Sequence, residues 1–146
     1  MTASVTFGVS GVDDIKKSIK KLDSRKARNL LQRALNQAAN PVVKDARTNA
    51  DRNVGKRTGE GRKNIKKRNI KKAERERLGL DQGVEVYLAP EGFYLGFWER
   101  GFTRNGVHYA AKPWLRPAID MNEAIVIKRY KERAKILVER EVAKGK

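Results

Sequence analysis

The chain has 146 residues, with 34 Lys and Arg against 17 Asp and Glu, a formal net charge of +17; this is the size of one domain with a dense, basic surface. The absence of cysteine excludes a disulfide scaffold, a thiolate zinc site and a cysteine nucleophile, and no stretch approaches the ~20 apolar residues of a bilayer helix. The opening MTASVTFGVSGVDD lacks the basic start and apolar block of a secretory signal, so the expectation is a soluble protein made in a cytoplasm.

Residues 4–9 alternate, with Val5, Phe7 and Val9 on one side and Ser4, Thr6 and Gly8 on the other, the pattern of a half-buried strand. Gly11 breaks it, and Asp13 and Asp14 open a short helix whose stripe is Val12, Ile15, Ile19 and Leu22. Asp23 or Ser24 caps a longer second helix. Ala27, Leu31, Ala34, Leu35, Ala38, Val42 and Ala46 share one face of it. Pro41 interrupts the hydrogen bonding but not the apolar phase, which predicts a kink and a continuation that fades near Ala50.

Residues 51–82 read as a basic, loop-rich insertion. Three glycines punctuate 51–62; a strand pinned by Ile65 and then a mobile basic loop are expected beyond. A second strand over 83–89 turns Val84, Val86 and Leu88 inward. Residues 90–118 carry most of the aromatics and both tryptophans, broken by Pro90 and four glycines. From Pro117 a last helix is expected over 117–143, since proline is tolerated in the first turn. About 27 residues at ~1.5 Å each give roughly 40 Å, longer than a compact domain of this size is wide. That helix is therefore expected to project or to lie against a neighbouring subunit, its stripe being Ile119, Val126, Tyr130, Ala134, Leu137 and Val142. The whole reads as a single α+β domain over 1–146: a small antiparallel or mixed sheet flanked by two N-terminal helices and one long C-terminal helix.

Little in the sequence points to catalysis. Serine occurs only at 4, 10, 18 and 24, and His108 is the one histidine, so neither a Ser-His-Asp set nor a transition-metal site is expected. Gly55-Lys56-Arg57-Thr58 is not a phosphate-binding P-loop, because Ala50 stands at the first glycine position and Arg57 where Ser or Thr is required. No catalytic residue, metal ligand or cofactor is assigned.

The charge is more informative, because a body this basic favours an anionic partner. Between 56 and 72 the chain carries Lys56, Arg57, Arg62, Lys63, Lys66, Lys67, Arg68, Lys71 and Lys72 against the single acid Glu60. Such a segment contacts phosphates without reading bases, or docks an acidic protein, or stays solvated. No aromatic residue interleaves for base stacking. Trp98 and Trp114 are expected in the core, and the Phe97-Trp98-Glu99-Arg100-Gly101 stretch has the composition of an assembly surface.

Glu99-x-Gly101, a short loop, and Lys112-Pro113-Trp114-Leu115-Arg116-Pro117-Ala118 leading into a terminal helix resemble a group of tailed-phage neck proteins. Their usual form is Glu-x-Gly-Thr followed by Pro-Phe-Leu-Arg-Pro-Ala. The Gly-Val-Asp-Asp turn, the alanine-rich second helix and the Thr58-Gly59 turn are similar too. Phe102 stands where the family often has Thr, and the segment before Thr58 lacks a proline often seen there. The resemblance implies a structural virion protein without enzymatic activity, assembled in the host cytoplasm. It would be a tail-completion, minor tail or head–tail joining protein, forming a six-fold ring around the DNA channel. Copies of itself, a head-closure protein, a tail terminator or tail tube protein, and the phage DNA are the implied partners, with no membrane. The assembly motif would be Thr58, Gly59, Phe97, Trp98, Glu99, Gly101, Pro113, Trp114, Leu115, Arg116 and Pro117. In this setting Pro113 and Pro117 are expected to hold Lys112 and Arg116 out of helical conformation, with Arg116 pairing Glu99. The alternative is a stand-alone basic protein that binds double-stranded nucleic acid without sequence specificity.

Overall fold

The computed structural model describes residues 4–9, 22–54 and 60–144. In chain order the described elements are β1 (Ser4–Val9), α1 (Ser24–Ala38), α2 (Asn40–Asn53), α3 (Glu60–Lys63), β2 (Ile65–Asn69), α4 (Lys72–Leu78), β3 (Gln82–Leu88), a 3-10 turn (Pro90–Gly92), α5 (Tyr94–Arg100), β4 (Phe102–Arg104), β5 (Val107–Tyr109) and α6 (Arg116–Lys144). The class is α+β, with two small antiparallel sheets. One has the strand order β1-β3-β2 and the other is the β4–β5 hairpin. The short helix expected from Val12 lies outside the described residues.

Local chemistry explains most boundaries. Asp23 caps α1, its carboxylate accepting the Arg25 N–H at 3.0 Å. Pro41 does more than kink the helix. The chain leaves α1 at Ala39 and restarts at Asn40 as a separate helix, with Pro41 in the first turn, where its missing N–H costs nothing. The Ala89 N–H donates to the Asn64 carbonyl at 2.8 Å and the Ile70 N–H to the Gly83 carbonyl at 3.2 Å. These two bonds set β2 antiparallel to β3 and Arg68 opposite Glu85. The loop expected after β2 holds α4, which carries no buried residue. It is stitched along its surface by Glu74–Arg77 and Lys72–Glu76 pairs, solvent-exposed contacts that add little to stability.

The chain groups into two compact units. The first comprises the described residues within Met1–Val5, Asn40–Arg68 and Glu85–Glu123. Its interior holds Val42, Ala46, Ile65, Val86, Leu88, Leu95, Trp114 and Ala118, all buried. Polar side chains of α2 bind backbone carbonyls there. Asn49 donates to the Trp114 carbonyl at 3.2 Å, Asn53 to that of Pro113 at 2.7 Å, and the Arg47 guanidinium to that of Ile65 at 2.8 Å. Asn122 donates to Asp45 at 2.7 Å.

The second unit comprises the described residues within Thr6–Ala39, Asn69–Val84 and Ala124–Lys146. Leu30, Leu31, Ala34, Leu35 and Ala38 of α1, and Val126, Tyr130, Ala134, Leu137 and Val138 of α6, are buried in it. Gln32 exchanges two hydrogen bonds with the backbone of Gly83, donating at 2.9 Å and accepting at 3.2 Å. The Tyr130 hydroxyl donates to Gln82 at 3.4 Å, and burial, with the Asp81 charge beside it, pushes its pKa up to about 12. The central stripe of α6 is thus covered within the chain itself, with Ile119 and Val142 half-buried at its ends.

Candidate assembly surface

The segment from 93 to 118 is organised around one carboxylate. Glu99, near the end of α5, accepts the backbone N–H groups of Trp114 at 2.7 Å, Leu115 at 2.9 Å and Arg116 at 3.0 Å. These N–H groups lie at the start of α6, where the chain has no intrahelical acceptor for them and the helix dipole favours a negative charge. The expected Glu99–Arg116 partnership exists, but through Arg116's backbone rather than its guanidinium. Arg116 is also the first residue of α6. Pro117 therefore starts the helix together with Arg116 and does not hold it extended.

Other bonds complete this lock. The Trp114 indole N–H donates to the Leu95 carbonyl at 2.8 Å, and the Lys112 N–H to the Trp98 carbonyl at 2.7 Å. Trp114 and Leu115 are buried, which ties α6 to α5. Gly101 leaves α5 at φ 80°, and a Cβ there would sit 3.0 Å from both the Tyr109 oxygen and the Ala111 nitrogen. Only glycine suits that turn.

The lock holds a set of aromatic side chains at the surface. Trp98 is half-buried here rather than in the core. Its ring meets Phe102 edge-on at 4.9 Å between centroids, Phe102 stacks on Tyr109 at 4.8 Å, and Phe93 meets Phe97 edge-on at 6.0 Å. Phe93 and Phe97 are 59% and 50% exposed, far more than buried aromatics of a core. Phe93, Phe97, Trp98, Phe102 and Arg104 are among the residues lining an open groove of about 650 Å³. The Lys112 ammonium lies 5.0 Å over the Trp98 ring, a cation–π contact. His108 is exposed on β5, its ring nitrogen 3.4 Å from the Thr103 hydroxyl.

The basic segment is dispersed over three elements. Lys56, Arg57, Thr58 and Gly59 lie outside the described residues. Arg62 pairs with Asp51 at 3.0 Å, Arg68 with Glu85 at 2.9 Å, and Lys72 with Glu76 at 3.9 Å. Arg68 also lies 4.1 Å over the Tyr87 ring. Lys67 turns toward α2 and donates to Asn40, and burial pulls its ammonium below its ordinary pKa. Lys63, Lys66 and Lys71 are exposed. Strand alternation at β2 separates Lys66 and Arg68 from Lys67, so the nine residues do not share one face.

Sequence reasoning named Glu99 and Phe97 but missed Phe93 and the hairpin residues Phe102 and Tyr109 as parts of the surface. The spacing of Phe93, Tyr94, Phe97 and Trp98 is helical, and it was the one available signal. Among the described residues no cluster of His, Cys, Asp and Glu could hold a metal ion. No described helix is long and apolar enough to cross a membrane.

No curated protein and no solved structure matches the chain. Residues 13–101 match the family model described as "Bacteriophage HK97-gp10, putative tail-component". The match covers β2, β3, α5 and the Glu99-x-Gly101 turn described above. The chain belongs to this HK97-gp10-like family of bacteriophage tail components.

Proposed function

We propose that this tail component works at the neck of a long-tailed phage. It forms a six-fold tail-completion or head–tail joining ring between the head-closure protein and the tail terminator, around the DNA channel, and it catalyses no reaction. The observation that carries the reading is the exposed aromatic surface fixed by Glu99. Aromatic and arginine side chains at an exposed, rigidly held patch are what interfaces use, and a ring needs such surfaces on every copy. The net charge of +17 suits a site beside a polyanion or an acidic neighbouring ring.

Negative-stain imaging of the purified protein at high concentration tests this. Closed six-fold rings are the expected result, formed alone or templated by the adjoining ring, and a population that stays monomeric in both settings contradicts it.

The charge suits a second reading equally, sequence-independent binding of double-stranded nucleic acid by the isolated chain. Exposed Lys63, Lys66 and Lys71 are its candidate phosphate contacts, with Lys56 and Arg57 as further candidates from the sequence. Tight duplex binding by a monomer at physiological salt would favour it over the ring.

A further inference from the structure

The cations of this chain are unevenly mixed with its acids. Helix α1 has 15 residues; Arg25, Lys26, Arg28 and Arg33 are among them, and no Asp or Glu is. Its apolar side chains Ala27, Leu30, Leu31, Ala34, Leu35 and Ala38 are all buried. Arg25, Arg28, Asn29 and Arg33 are exposed, and their spacing by three and four residues puts them together on the opposite side. Lys26, beside this face, reaches Glu141 at 3.6 Å. Further along, Gln32 and Asn36 donate to Asn69 at 3.0 and 2.9 Å, which holds the helix against the end of β2. Among the described residues the three arginines have no ion-pair partner.

The composition of the face selects the occupant. A protein-docking surface is anchored by apolar or aromatic side chains at its centre, and this face has none. Arginines and an amide without acids are the set that contacts phosphate oxygens, and a guanidinium fork grips a phosphate through two N–H groups. The exposed side of α6 in the same unit differs. There Lys128 and Lys135 are each followed four residues on by an acid, Glu132 and Glu139, all four exposed, so each cation has a competing neighbour. From Arg25 to Arg33 the helix rises ~12 Å, a length of duplex that carries about three phosphates per strand.

We propose that Arg25, Arg28 and Arg33 of α1 form a phosphate-contact site for double-stranded DNA, distinct from the basic segment 56–72. Asn29, among them, donates its amide to a phosphate oxygen. The site touches the backbone alone, so it carries no base preference. It rests on the reading that the chain lies beside DNA, and it requires neither ring closure nor the aromatic groove.

Anisotropy of a labelled duplex of about twenty base pairs, titrated with the full chain across a salt series, tests this. The variant carries Arg25→Gln, Arg28→Gln and Arg33→Gln. The control carries Lys128→Gln, Lys131→Gln and Lys135→Gln and loses the same charge. All six positions are exposed, and glutamine suits a helix about as well as arginine or lysine. The α1 variant is expected to flatten the log–log salt slope by about 2.7 and to weaken binding at low salt at least about ten-fold. The control is expected to change the slope by less than about 1. Equal slopes for the two variants overturn the proposal. Poly-glutamate that displaces the chain as well as unlabelled duplex does, at equal charge, assigns the face to an acidic protein and overturns it too. No duplex binding by the parent contradicts the DNA reading as a whole, whereas binding that the α1 variant keeps in full overturns this assignment alone.

Discussion

The Glu99 carboxylate accepts the Trp114 backbone N–H at 2.7 Å across fifteen residues of chain. With the Leu115 and Arg116 N–H groups on the same carboxylate, one side chain fixes where α6 starts and how α5 meets it. This cap, with the Trp114–Leu95 and Lys112–Trp98 bonds, ties α5 to the start of α6. The two halves of the sequence motif are therefore two halves of one structural device, and the aromatic groove is what it presents.

Glu99→Ala leaves three N–H groups without their acceptor. The expected cost is about 2–3 kcal/mol, combining a lost cap with partly buried unpaired donors. Arg116→Ala keeps its backbone N–H and is expected to stay within about 0.5 kcal/mol of the parent. Urea unfolding of the two variants measures the difference. Equal losses would mean that the guanidinium, not the backbone, is the partner.

Gly101→Ala adds a Cβ against backbone at a positive φ and is expected to destabilise by about 2–4 kcal/mol. Gly106, at the tip of the β4–β5 hairpin, also has positive φ, but a Cβ there meets nothing within 4 Å. Gly106→Ala is expected to cost only about 1 kcal/mol. Thermal unfolding of both variants checks the ordering.

Much of this fold was legible before any coordinates, for physical reasons that differ by element. Val84, Val86 and Leu88 alternate because β3 has one buried face, and all three are buried. Asp23 and Ile65 mark real boundaries, since a cap and an apolar pin act locally. Helix α4 was not legible. It buries nothing, so no stripe exists, and its only signs were the i,i+3 and i,i+4 charge pairs and the closing Gly79. The split at Ala39 was missed because the apolar phase runs on through Pro41 while the hydrogen bonding stops. The role of Glu99 was half legible. Its proximity to 116 came with the motif, but a cap donated from another helix leaves no mark in the usual N-cap window. The groove depended on Trp98, which composition placed in the core; its contacts with Phe102 and Tyr109 of the following hairpin decided otherwise.

Tyr130 makes stability fall at high pH. Its folded pKa, raised to about 12, lies above the ordinary phenol value near 10. The unfolded chain then releases its proton first, so this contribution is intact below about pH 10 and is lost as pH rises toward 12. The loss is expected to reach about 2 kcal/mol. Tyr130→Phe removes that component, and urea midpoints of the two proteins compared at pH 9 and pH ~11.5 report it as a difference in slope.

Contact with DNA, where it occurs, is expected to be sequence-independent and steeply salt-dependent. Among the described residues Arg62, Arg68 and Lys72 have acid partners, which compete with phosphate for those cations. Each phosphate that the segment neutralises adds about −0.9 to the log–log slope of affinity against salt. Duplex binding measured across a salt series checks this, and an affinity indifferent to salt removes the basic segment from the contact.

The most direct test of the account is to delete the gene from its phage and image the particles made without it. The account predicts filled heads and separate tails that do not join, with joining restored by the wild-type chain and not by a Phe97→Ser, Arg104→Glu double variant. Normal, joined virions in the absence of the protein would contradict it.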